Sequence, residues 1–238
     1  MSDLGDRRAR KKAATRQAIR AVAQELFYAR GFDAVTIADI AQRSDVAVQT
    51  VFNHFATKEE LFFDGHTPWV EGPAEAVRAR KAGEPPLVAL RAYLTDEVSR
   101  LVGGMVRPER RAYIAAIHGS VSLRAHEREL VHTSERLLSE ALVEAWTAED
   151  CISGPADPHT AAPITAAVWL SAARVMVVQQ RPRMTSAGAP DDAATAMRAF
   201  ADRLLGQMEA CLDLIHGVPD LLQQPETGWP QPAVLQAG

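Results

Sequence analysis

Cysteine pairs, long apolar runs, strand patterns and catalytic signatures are what this chain lacks. It has only two cysteines, Cys151 and Cys211, in 238 residues. With no second pair, neither a disulfide framework nor a zinc-knuckle spacing can be written, and a reducing cytoplasm is the simplest compartment. The basic N-terminus is not followed by an apolar core, so it does not read as a signal peptide. No run reaches the ~18 consecutive apolar residues of a membrane span, so no membrane partner is expected. Alternating apolar and polar positions are absent and β-branched clusters are sparse, which argues against strands. There is no Gly-x-Ser-x-Gly, no Gly-Lys phosphate loop, no His-Glu-x-x-His and no dinucleotide fingerprint, so nothing calls for an enzyme, a cofactor or a metal. His126 and His132 lie six apart, out of phase for one metal-binding helix face.

What is present is an ordinary globular composition, 47% hydrophobic and 24% charged, large enough for a core without staples. The net charge of −4 conceals an asymmetry. Residues 7–58 carry ten Lys/Arg against four Asp/Glu, whereas the rest carries 16 against 26. A basic end on an acidic chain suits a polyanion at that end only; a solvated charged helix is the plainer alternative. An architectural, nucleoid-type DNA-binding protein would instead spread its basic residues along the chain.

Apolar spacing predicts an all-α fold. Ile19, Val22, Ala23, Leu26 and Phe27 repeat at helical intervals within residues 7–30, and Gly31 stands where a helix ends. A short helix over 37–44 is entered through Thr36 with Asp39 three residues on, a capping-box spacing. Another short helix fits 48–55, and Thr57 with Glu60 opens a third. Gly65, Pro68, Gly72 and Pro73 then predict a break or hinge. Longer helices are expected at about 86–103, 108–118, 122–149, 159–180 and 190–215. From Pro219 on, four prolines and no basic residue in 20 positions predict a disordered tail, 217–238.

The stretch Thr36 to Glu60 has the pattern of a helix-turn-helix. Ile37, Ile40 and Ala41 supply the inward face of the first helix, Val46 the turn, and Val51, Phe52 and Phe55 the inward face of the second. Gln49, Thr50, Asn53 and His54 collect on the other face. All can bond to base edges or phosphates and none is acidic. Arg7, Arg8, Arg10, Lys11, Lys12 and Arg16 lie alongside, either as a phosphate-reaching arm or as a solubilising extension.

These residues resemble the DNA-binding domain of the tetracycline-repressor (TetR) family. The resemblance runs through Gly31-Phe32, Thr36-Ile37, Asp39-Ile40-Ala41, Thr50-Val51-Phe52-Asn53-His54-Phe55 and Thr57-Lys58-Glu59-Glu60-Leu61, and covers about residues 12–63. It implies a three-helix DNA-binding domain at 1–58 and a helical ligand-binding and dimerisation domain at 59–216. It further implies double-stranded operator DNA and a small-molecule ligand as partners, most simply for a ligand-released repressor, with a ligand-responsive activator as the alternative. By position, Thr36 would cap the second helix and meet a phosphate. Gln49, Thr50 and Asn53 would face the major groove, His54 the backbone or a base, and Lys58 a phosphate. Two positions depart from the family pattern. Asp45 stands where Gly is frequent, tolerable because Asp accepts a left-handed backbone. Phe52 replaces a frequent Tyr, removing a hydroxyl contact to phosphate and leaving a side chain for the core.

The helix at 159–180 carries two apolar stripes. One is Ile164, Val168, Val175 and Val178 with Ser171; the other is Trp169, Leu170, Ala173, Met176 and Val177. A helix apolar on both sides needs covering on both, by a partner chain or by a central place in a monomer. The resemblance implies a homodimer through the last two helices. It also implies a pocket among the middle helices, for which Trp69, Tyr93, Tyr113, His118, Trp146, Trp169 and Met176 are candidates by mixed apolar and polar character. Ordinary core packing is the alternative for each, and an apolar or aromatic ligand would suit them.

Overall fold

The computed structural model describes residues 3–148, 154–184 and 190–216; the tail expected at 217–238 lies outside them. The described residues form ten α-helices and no strand. They are α1 (Asp3–Arg30), α2 (Ile37–Arg43), α3 (Val48–Phe52), α4 (Lys58–Phe63), α5 (Pro68–Arg78), α6 (Pro86–Gly103), α7 (Pro108–Gly119), α8 (Val121–Trp146), α9 (Pro158–Met184) and α10 (Pro190–His216).

Local signals set the short helices. Gly31 ends α1 at φ +79°, its N–H donating to the Phe27 carbonyl at 3.0 Å. The Thr36 hydroxyl accepts from the Asp39 N–H at 3.1 Å, while the Asp39 carboxylate accepts from the Thr36 N–H at 2.8 Å. At α4, Thr57 Oγ1 accepts from the Glu60 N–H and Glu60 Oε2 from the Ala56 N–H. Such caps are worth about 1 kcal/mol each, decisive in helices too short to hold themselves.

Two apolar clusters organise the chain. The first joins Ile19, Ala23 and Phe27 of α1 to Ile40, Val51, Phe55 and Leu61–Phe63, with Ile117 and Leu123 from α7 and α8 closing its base. All three buried residues of α4 thus pack with α1–α3, although residue 58 is where a domain cut was expected. The second cluster gathers α5, α6, α8, α9 and α10 around Leu90, Leu138, Leu142, Trp169 and Leu205.

The expected hinge over 65–73 shrinks to Asp64–Thr67. Helix α5 starts at Pro68 and runs through Gly72 and Pro73. Pro73 has no N–H for the Trp69 carbonyl, which would be its helical partner. The Ser134 hydroxyl of α8 donates to that carbonyl at 3.1 Å instead. One residue earlier, the Tyr93 hydroxyl of α6 donates to the Pro68 carbonyl at 3.0 Å. Neighbouring helices therefore supply what the proline removes, which local sequence rules do not anticipate.

Helix α9 bears on the membrane expectation without overturning it. By length and mean hydropathy, 1.6, Pro158–Val178 would suffice to cross a bilayer. Packing accounts for one of its two apolar stripes: Ala162, Ala166, Trp169, Leu170, Ala173 and Met176 are buried, whereas Ile164, Val168 and Val175 are about half exposed.

Candidate nucleic-acid interface and cavity

The turn between α2 and α3 depends on Asp45, at φ +53° the one non-glycine with positive φ among the described residues. After it the Val46 N–H returns to the Ala41 carbonyl at 3.0 Å. Helix α3 sinks Val51, with Phe55 buried just beyond it, and presents Gln49 and Asn53 to solvent. The Gln49 amide N–H donates to Asn53 Oδ1 at 3.2 Å. The two form one polar pair rather than independent side chains. Thr50 is half-buried beside them.

The remaining expected contacts are more committed internally. The Thr36 hydroxyl donates to Asp39 Oδ2 at 2.7 Å while accepting from the Asp39 N–H. These Thr36 bonds hold the Asp39 carboxyl below its ordinary range. Lys58 turns inward, its Nζ donating to the carbonyls of Phe32 at 3.0 Å and Val35 at 2.9 Å and lying 4.2 Å over the Phe32 ring. It ties α4 to the loop before α2 and retains one proton for anything outside. His54 is half-buried, with Nδ1 enclosed and unpartnered. Burial first, then Lys12 and Arg16, push its pKa down.

Arg16 is likewise a structural cation. It donates to the His54 carbonyl, pairs with Asp64 at 2.6 Å and lies 4.0 Å over Phe55. Arg10 pairs with Asp6 at 2.8 Å. Arg7, Arg8, Lys11 and Lys12 stay exposed along the first turns of α1.

Val48 and Phe52 were not counted as surface. Val48 is 43% exposed, and Phe52, expected inward, is 46% exposed. A 100° helical step explains it: Val51 and Phe55 take the inward direction, and Phe52 falls beyond the edge of that face.

In the body, Trp69, Tyr93 and Tyr113 line an inner cavity of about 120 Å³ with Leu94, Val98, Ile114, Leu170 and Val177. His118 is exposed on the last turn of α7. Trp146, Trp169 and Met176 are buried but lie off the cavity wall. The indole N–H of Trp169 is buried without a hydrogen-bond partner, as is the hydroxyl of Thr165 one turn earlier. Burial pushes the Tyr93 phenol up to about 12, so it stays a donor to Pro68. An outer cleft of about 700 Å³ adjoins this cavity, and Gln24, Glu25, Phe27 and Tyr28 of α1 form part of its wall. His66, Glu97, Leu101, Arg110 and Tyr113 line both spaces. Sequence reasoning passed over His66, Glu97 and Arg110 because charged or polar residues outside a motif look solvated.

The linker between α4 and α5 touches both the cavity and α1. Asp64 pairs with Arg16 and, at 3.6 Å, with Arg20. His66 Nε2 lies 2.9 Å from Gln24 Nε2, and its ring is 4.7 Å from that of Tyr113. Burial, then Arg110 and Arg20, lower its pKa, so the neutral imidazole accepts from the amide. His126 is partly covered, its ring 5.3 Å from Phe63.

Residues 19–64 match the family described as "Bacterial regulatory proteins, tetR family". The chain is 35% identical over 97 residues to the HTH-type transcriptional regulator TcmR of Streptomyces glaucescens, a match spanning 41% of this chain and 43% of that regulator. Among solved structures, NalD, the secondary repressor of the MexAB-OprM multidrug efflux pump in Pseudomonas aeruginosa, is 20% identical. It covers 82% of this chain and 96% of its own with a TM-score of 0.48. SCO7518 of Streptomyces coelicolor A3(2), a putative transcriptional regulator by its description, is 18% identical over 82% of this chain and 97% of its own, with a TM-score of 0.49.

Proposed function

We propose that this chain is a member of the tetR family of bacterial regulatory proteins, which its residues 19–64 match, and that it is a dimeric DNA-binding repressor, acting in the cytoplasm, that leaves its operator when a small molecule fills its cavity. The observation that carries the DNA-binding part is α3 itself. It is anchored by Val51 and Phe55, exposes a Gln49–Asn53 pair and has the exposed cations of α1 alongside. Amide pairs reach base edges, and lysines and arginines reach phosphates. The two readers must be held at a fixed spacing to meet two half-sites, which a dimer provides. The exposed Ile164, Val168 and Val175 of α9 and Phe200 of α10 offer an apolar face for that dimer.

Release follows from the linker. Trp69, Tyr93 and Tyr113 favour an apolar or aromatic ligand in the inner cavity. A ligand there that displaces His66 pulls on Asp64, thence on Arg16, which holds the His54 carbonyl at the end of α3. A ligand hundredfold tighter on the DNA-incompatible state supplies about 2.7 kcal/mol of coupling.

Capture of sheared genomic fragments by the purified chain tests the reading. One recurrent duplex with two half-sites about 10 base pairs or a multiple apart is expected. No preference over random duplex at physiological salt would contradict it.

A further inference from the structure

Val48 and Phe52 stand one turn apart on α3 and are close to half exposed. A phenyl and an isopropyl group side by side on a five-residue helix are left with close to half their surface uncovered by the fold. Phe52 has no hydrogen-bonding atom, so it offers nothing to a phosphate oxygen or a polar base edge. Both lie beside the Gln49–Asn53 pair, one helical step from it, on the strip of α3 that the fold leaves uncovered. Whatever Gln49 and Asn53 meet, Val48 and Phe52 meet at its flank.

Of the groups lining the major groove in unmodified DNA, the thymine C5 methyl is the one apolar group that projects from the base edge. The geometry points to thymine-methyl reading by Val48 and Phe52: each half-site carries thymine where these side chains land, next to the base pair addressed by Gln49 and Asn53. This rests on the proposal above that α3 enters the major groove. It adds that part of the sequence preference comes from a methyl contact and is carried by two residues without polar atoms.

The probe is a randomised duplex library prepared once with thymine and once with deoxyuridine, which removes the methyl and leaves every hydrogen-bonding atom in place. The full-length protein selects from the thymine library, and the best site is remade with thymine replaced by deoxyuridine one position at a time. At one or two positions per half-site, binding should weaken by about fourfold for each methyl buried. At those positions, Phe52→Ala or Val48→Ala should bind the thymine and deoxyuridine sites alike. Unchanged melting temperatures would show that both variants remain folded. Equal affinity of the wild type for both forms at every position would overturn the inference while leaving DNA binding intact. So would discrimination that survives in both variants, because another residue would then read the methyl. Failure to enrich any duplex would overturn the DNA-binding reading itself, and this inference with it.

Discussion

The α1–α4 unit and the α5–α10 body solve the same problem with different devices. In the first, α2, α3 and α4 have seven, five and six residues, and caps, a left-handed Asp45 and a few buried rings set their directions. In the second, helices of up to 27 residues are placed by what packs against them, even where a proline interrupts the backbone ladder. Short helices can be read residue by residue. Long ones reveal their existence in sequence but not their neighbours. The unit expected to meet DNA is locally determined, and the body expected to sense a ligand is determined by contacts that a ligand can perturb.

The largest effect is expected on α9. Val168 lies on the exposed stripe and Leu170 on the buried one. Leu170→Arg should unfold the body, because an unpaired buried charge costs several kcal/mol. Val168→Arg should leave a folded chain that light scattering finds monomeric, whereas the wild type should dimerise and bury more than about 1,000 Å². A folded, dimeric Val168→Arg would place the interface elsewhere.

Next is the clamp on α5. A Cβ at Gly72 would lie 2.0 Å from the Tyr93 hydroxyl oxygen. Gly72→Ala should therefore break the Tyr93–Pro68 bond and cost about 1–3 kcal/mol, read as a lower melting temperature.

Lys58 sharpens the division of labour in the DNA-binding unit. Because its ammonium is drawn inward onto two carbonyls, Lys58→Ala should lower stability by about 1–2 kcal/mol and change the salt dependence of DNA binding less than loss of an exposed cation does. Lys12→Ala, at an exposed position, should flatten that dependence by about one counterion and leave stability alone.

The smallest effect expected is on pH. His66 and His54 both have pKa values held below the ordinary 6.5 by burial. The unfolded chain then binds more protons than the folded one between 6.5 and the depressed values. Stability should fall as pH drops through that window and level off below it. His66→Asn should flatten part of this slope in melting curves; an unchanged slope would mean that His66 is not held neutral.

The all-α fold and the starts of α2 and α4 were legible, unlike that of α5, because caps and apolar spacing act over three or four residues. Thr36 with Asp39, Thr57 with Glu60, Gly31 and Asp45 each form the local structure expected of them. Gly72 and Pro73 are breakers in isolation and so suggest a hinge wider than the observed one, because Ser134 and Tyr93 come from helices distant in sequence. The cavity was legible only through its aromatics. Trp69, Tyr93 and Tyr113 meet there, but Trp146, Trp169 and Met176 have the same character and fill the core. Nothing in local sequence separates a wall from a filling. The outward turn of Phe52 was within reach, since its angular distance from Val51 and Phe55 is fixed by the helix.

The cavity and α3 should be coupled through the linker. A compound that raises the melting temperature is titrated into the purified protein, with and without saturating operator duplex, by calorimetry. Operator should weaken the compound's binding by about a hundredfold, the reciprocal of the release it causes. Equal affinities in the two titrations would contradict the claim.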